Sequence, residues 1–229
     1  MTEKKPNITG EICEPSDLHR VLRDHWKGNF IFRGEDSDKY SLRSKWGRVQ
    51  ADDARNGRGM EQTLFNEFRR RAAPFLTRLP ATEWDWIALA QHHGVATRLL
   101  DWTENALVAA YFATRPISSS NRVLYMIDQY ELDDVDESKS PFSIDASVIY
   151  RPTHLSARIS SQGGLFTAHS RPAEIFEHPK LERWLIKHEC CIDLSMTIES
   201  YGVDEVSIFR DLDSLARVLN ETHIRKFGV

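Results

Sequence analysis

The chain has little cysteine, and what it has is poorly placed to hold a fold together. Of three cysteines, Cys190 and Cys191 are adjacent, and the set forms neither a metal-ligand spacing nor a disulfide framework. No structural metal is therefore expected, and the pattern fits a reducing compartment. Long hydrophobic runs are also missing. The longest, ALVAAYFA at 106–113, falls far short of the roughly 20 residues that cross a bilayer. The opening MTEKKPNITG lacks the apolar centre of a signal peptide, so a cytoplasmic protein without a membrane partner is expected. Positive charge is not in excess either. Thirty Lys and Arg face 34 Asp and Glu, a net −4, which removes a protein-wide basic field for nucleic acid. Finally, no G-x-G-x-x-G and no P-loop pattern occurs, which speaks against a Rossmann dinucleotide site.

What is present reads as one ordinary globular domain: 229 residues, 41% hydrophobic and 28% charged. No repeat interrupts it, and the acidic stretch DQYELDDVDESKS at 128–140 reads as a solvated loop. Helices are expected over 16–26, capped by Ser16 or Asp17, over 61–79, and over 82–94, where Thr82 opens the helix and Gly94 stops it. NFIFRG, RVLYMID, GGLFTAH and HECCIDLS read as strands, and DLDSLARVLN as a closing helix. With helices early, strands late and no strand-helix-strand alternation, the fold class is α+β. FRRR at 68–71 reads as the wet face of a helix, while Trp84 and Trp86 would mark a partner-binding face if exposed.

One segment resists a purely structural account. QHHGVATRLLDWT, residues 91–103, crowds hydrogen-bonding side chains in front of the apolar helix at 104–114. Asp101 and Glu104 have the spacing of a capping box, with Thr103 as the rival cap, and Trp102 has the size and polarity of an amphipathic lid. Gln91, His92, His93, Thr97 and Arg98 are left over. An arginine beside a helix N-terminus has the wrong sign for the dipole and belongs next to a buried carboxylate or a bound phosphate. Arg98 with Asp101 is equally an internal ion pair. His92 serves either as a carbonyl cap at the helix end or, with a pKa near neutrality, as a general base. Adjacent histidines share no helix face, so metal is not expected there.

FRG at 32–34, QHHGVATRLLDWTENALVAAYFA at 91–113, RISSQGGLFTAH at 158–169 and IFRDLDSLARVL at 208–219 together resemble the FRG domain family, named for its Phe-Arg-Gly motif. The resemblance runs over about residues 15–220 of a single domain, 1–229, departing where His93 replaces an aromatic and Arg210 a proline. It implies an ADP-ribosyltransferase-like fold, with N-terminal helices and a split, mostly antiparallel sheet around an NAD cleft. It further implies Arg33, His92 and Gln162 as catalytic candidates, and Arg33, Gly34, Gln91, Thr97, Arg98, Asp101 and Trp102 as nucleotide contacts. ADP-ribose transfer to a protein or nucleic-acid acceptor, or NAD hydrolysis, then follows, as in a toxin or phage-defence factor. The alternative is a non-catalytic module that binds a nucleotide or a partner in a defence or regulatory system. No clear transferase glutamate accompanies the motifs; Glu189 and Glu205 are the carboxylate alternatives to Gln162. For Arg33 the competing reading is a structural ion pair, with Gly34 making a turn.

Overall fold

Strand β2 (Phe30–Glu35) forms from the alternation in FIFRGE, and its register determines how the rest of the molecule is layered. The computed structural model describes residues 7–25, 27–52, 58–115, 119–152 and 163–227. In chain order these form β1 (Gly10–Ile12), α1 (Pro15–Asp24), β2, α2 (Lys45–Asp52), α3 (Arg58–Ala72), α4 (Glu83–His92), β3 (Leu99–Thr103), α5 (Ala106–Thr114) and β4 (Arg122–Asp128). There follow β5 (Val148–Tyr150), β6 (Gly164–Ala168), β7 (Glu182–Ile186), α6 (Cys191–Ser200), α7 (Glu205–Phe209) and α8 (Leu212–Phe227). The α+β expectation holds, although strands and helices interleave from the start.

The seven strands make one mixed sheet in the order β1-β7-β4-β2-β3-β6-β5, antiparallel except for β1 beside β7. The sheet is therefore not divided in two, yet its halves are barely joined. β2 pairs with β4 along its whole length, and β3 with β6 along all of its length, whereas β2 and β3 meet only at Phe32 and Thr103. Beyond that pair the strands part, leaving backbone groups without a ladder partner, which must find other partners or water.

Register and the two-residue strand period assign the faces. Phe32, Leu124 and Met126 lie on the face covered by α1, α5 and α6, where Leu18, Ala109, Ala113 and Leu194 complete one apolar cluster. On the same face of the other half, Leu99, Phe166, Ala168 and Tyr150 pack against α4 and Phe65 of α3. The opposite face carries Ile31, Leu100, Trp102, Tyr125 and Leu165 and is closed by Leu42, Phe176 and Leu181.

Four local readings change. HECCIDLS is a 3-10 turn at His188–Cys190 followed by α6, because the buried residues Cys191, Leu194, Ser195 and Ile198 follow helical spacing. The strand lies just before it, in ERWLI, where the buried charge of Arg183 donates to the Asp38 carbonyl at 3.2 Å. The cap of α1 is Glu14, with Asp17 three residues on completing a capping box, and not Ser16 or Asp17. Asp101 caps nothing: it sits in the middle of β3, and α5 is opened by Asn105, whose side chain accepts from the Leu107 amide at 2.9 Å. The Thr82 cap and the Gly94 stop stand, the latter at φ +81°. No helix among the described residues is long and apolar enough to cross a membrane.

Candidate functional site

A cleft of about 390 Å³ opens where β2 and β3 part, bounded by one side of α5 along its length and by the end of α4. Arg33, Gly34, Glu35 and Asp36 line one side; Gln91, His92, Asp101, Trp102 and Thr103 line the other; Val108, Phe112 and Arg115 supply a wall. Three separate stretches of sequence thus converge on it.

Arg33 bridges the seam. Its NH1 donates to the Asp101 carbonyl at 2.7 Å, replacing a ladder bond that the parted strands do not make. Its Nε donates to Glu35 at 2.9 Å, NH2 lies 2.7 Å from the same carboxylate, and the Asp101 carboxylate is 3.6 Å away. Burial alone would lower its pKa, but the Glu35 and Asp101 carboxylates outweigh that and hold the guanidinium charged. Asp101 is steadied in turn. Gln91 Nε2 donates to its Oδ2 at 3.0 Å, and Thr97 Oγ1 donates to Gln91 Oε1 at 2.7 Å. A buried threonine therefore sets the amide that sets the carboxylate, a preorganised arrangement facing a cleft. His92 stands at the end of α4 with its ring centroid 5.1 Å from that of His93.

The other candidates divide between the wall of the cleft and the interior. Thr97 acts on Gln91 rather than lining the cleft, and Arg98 is inside the protein. The Arg98 and Glu61 side chains, both 2% exposed, face each other with Arg98 NH2 2.6 Å from Oε2, and the Arg98 amide donates to Oε1 at 2.8 Å. Of the sequence alternatives, the buried carboxylate is the one realised, and it is Glu61, not Asp101. Trp102 is core and not a lid: its indole N–H donates to Thr167 at 2.9 Å. Gly34 does not turn the chain: it sits within β2 at the wall of the cleft and lets α5 pass, since a Cβ there would sit 1.9 Å from the Ala109 carbonyl oxygen. Gln162 and Arg158 lie outside the described residues. Glu189 and Glu205 do not line the cleft; Glu205 pairs with Arg217. Trp84 and Trp86 are buried, which withdraws them as a partner-binding face. Among the described residues no group of three His, Cys, Asp or Glu is placed to hold a metal.

Glu35, Asp36 and Arg115 were missed in the sequence. The signal for Glu35 was present: two residues after Arg33 on a strand puts both side chains on one face.

Beneath the seam, His169 extends the order inward. With Thr167 accepting from Trp102, its hydroxyl is placed to donate to His169 Nε2 at 2.9 Å, leaving Nδ1–H for Ser147 at 3.1 Å. That arrangement requires a neutral ring. Burial first, then the charges of Arg33 and Arg98, push the His169 pKa down to about 3. The unfolded chain protonates this histidine near its ordinary value and the native chain does not, so its contribution to stability is present above about pH 6.5 and is lost as the pH falls towards 3. Urea unfolding at stepped pH should show this group adding a slope of up to about 1.4 kcal/mol per pH unit in that window. His169→Gln should flatten it; an unchanged slope would place the proton elsewhere.

Fold and site together define an α+β protein with a polar, mixed-charge cleft at the seam of a mostly antiparallel sheet. Residues 28–122 match the model of the FRG domain, from just before β2 to the first residue of β4, which bears out the resemblance to the FRG domain family. That segment contains every described residue that lines the cleft. No curated protein and no solved structure matches the chain.

Proposed function

We propose that the cleft binds NAD or a related nucleotide, and that the chain is an ADP-ribosyltransferase-like domain that transfers ADP-ribose to a macromolecule or hydrolyses NAD. The observation that carries this reading is the convergence of Arg33, Glu35, Gln91, His92 and Asp101 on the parted seam of the sheet. Each has a task in that chemistry. When the glycosidic C–N bond breaks, nicotinamide leaves with the bonding pair and positive charge develops on the ribose. A carboxylate fixed beside it, Glu35 or Asp101, stabilises that charge more in the transition state than before it. This supplies from the cleft what Gln162 would provide only as a dipole. Arg33 offers planar donors to phosphate or ribose oxygens, and His92, at the cleft wall, is the base we assign to the proton of an attacking water or acceptor hydroxyl.

A second reading has its own support. The Arg33 guanidinium is already shared between Glu35 and Asp101, so an incoming anion must compete with carboxylates, as suits a recognition module with modest affinity and no turnover. Nicotinamide release and calorimetric binding, measured on wild type and Arg33→Ala with melting curves alongside, separate the two. The enzyme reading expects release that Arg33→Ala removes, with binding weakened about 10–150-fold, the loss of a charged hydrogen bond. Binding without release supports the module; neither binding nor release ends the NAD reading.

A further inference from the structure

Two polar groups of the cleft are left unmet by the protein, and neither has a task in the chemistry above. The first is the Asp36 carboxylate. Glu35 and Asp101 are both drawn to Arg33. The Asp36 side chain, by contrast, has no hydrogen bond or ion pair among the described residues, although its backbone carbonyl is pinned by Arg122. The second group is on Arg115. Its NH2 pairs with Glu199 of α6, and its guanidinium carbon lies 5.5 Å from the centroid of the Tyr111 ring. Its Nε, however, is buried without a hydrogen-bond partner among the described residues. A donor in that state has given up water and gained nothing in return.

Both groups stand where β2 and α5 run side by side. Gly34 lies against Ala109 and Ala113 of α5; two residues past Gly34 comes Asp36, two past Ala113 comes Arg115, and both line the cleft. Phe112, about one helical turn before Arg115, lines it too. Its ring is steadied edge-on by Tyr111 and Phe209, at centroid distances of 5.7 and 6.2 Å. An acceptor without a donor, a donor without an acceptor and an aromatic wall together suit one kind of group, a carboxamide carried on an aromatic ring. The amide N–H2 donates to a carboxylate and the amide oxygen accepts from a guanidinium N–H, while the ring packs on the phenyl group. A carboxylic acid in the same place would set two carboxylates against each other.

We propose that Asp36 and Arg115 form a subsite for the carboxamide of a nicotinamide ring, with Asp36 accepting from the amide N–H2 and Arg115 Nε donating to the amide oxygen. This rests on reading the cleft as a nucleotide site, and it gives that site a direction. Asp36, Glu35 and Arg33 succeed one another over about 10 Å of extended chain. Amide, ribose and phosphate of a bound nucleotide then meet, in turn, the recognising acid, the charge-stabilising acid and the anion-binding cation.

Ligand-observed NMR titrations of the full chain with nicotinamide, nicotinic acid and the methyl ketone analogue of nicotinamide test this. Wild type should bind nicotinamide at least about tenfold more tightly than the acid, and about three- to tenfold more tightly than the ketone, which lacks the amide hydrogens. Asp36→Asn, whose side chain can donate to a carboxylate, should erase the preference against the acid. Arg115→Met should weaken nicotinamide and the ketone alike by about three- to tenfold. Melting curves check that each variant folds, with Asp36→Ser and Arg115→Leu as replacements should either fail. Preference is the deciding readout, because a merely loosened cleft weakens all three probes together. A wild type that binds none of the three or binds acid and amide equally, an Asp36→Asn protein that keeps the preference, or an Arg115→Met protein that binds nicotinamide as wild type does would each overturn the proposal. Nicotinamide bound with this preference while NAD is not bound leaves the subsite standing and ends the NAD reading; NAD bound without the preference removes the subsite alone.

Discussion

Arg98→Ala is expected to lower the unfolding free energy by about 3–5 kcal/mol, the cost of stranding a charge in the interior. The pair it breaks is almost fully enclosed, and Arg98 meets Glu61 through both its side chain and its backbone amide. Burial already pushes the Glu61 carboxyl up, with Arg98 pulling against it; without the guanidinium, only the upward push and a single amide donor remain. Glu61→Gln should cost a comparable amount by leaving the guanidinium without its counter-charge. The double change Arg98→Met with Glu61→Leu should recover part of the loss: no charge is then stranded, while the backbone amide of residue 98 loses the acceptor that Glu61 gave it. Urea unfolding of the three variants decides the matter, and a double variant no more stable than the singles would show that shape and not charge is what the site requires. Loss of activity in Arg98→Ala carries no catalytic meaning. Thr97, next in the chain, orients Gln91 and through it Asp101, so damage to the core reaches the cleft without Arg98 touching a ligand.

That chain of dependence shows what was legible before the structure and what was not. The polar excess of QHHGVATRLLDWT set it apart from a plain helix connection, and Gln91, His92, Asp101 and Arg33 do meet at one cleft. What the pattern concealed was the division of labour within it. On β3, neighbouring residues point to opposite faces, so Asp101 turns to the cleft while Trp102 enters the core, although both are polar-capable and adjacent. A capping-box spacing is satisfied equally by a strand that happens to precede a helix, and Asn105 took the cap. Glu61 lies 37 residues from Arg98, and nothing local names it as the partner. The opposite error, reading ECCIDLS as a strand, arose because small and branched apolar residues side by side conceal the 3.6-residue period that Cys191, Leu194 and Ile198 follow. ERWLI escaped because a charged residue in a short run looks like surface, whereas Arg183 is buried and paired with backbone. The parted seam itself has no sequence signature at all: it is a property of how two strands twist away from a shared residue pair.

Gly34→Ala is the second large effect, and it tests why the middle of the Phe-Arg-Gly stretch ends in glycine. The added Cβ would lie 1.9 Å from the Ala109 carbonyl oxygen and 2.7 Å from the Ala113 amide nitrogen. These are backbone atoms of a buried helix, which cannot turn aside as a side chain would. Helix α5 must therefore lift from β2, opening the cluster that Phe32, Leu124 and Met126 form with Ala109 and Ala113. Overpacking of this kind costs about 3 kcal/mol or more, which for a domain of this size lowers Tm by about 6–12 °C. Gly59→Ala provides the control: it lies in α3 with nothing within 4 Å of the new Cβ, and should stabilise by about 0.5–1 kcal/mol through helix propensity. Calorimetric melts of the two variants should move in opposite directions. Since α5 also brings Val108, Phe112 and Arg115 to the cleft, any nucleotide binding by Gly34→Ala should fall even though no ligand group has been removed. A Gly34→Ala protein that melts with wild type would mean that the helix and strand have slack between them, and that the glycine serves the cleft after all.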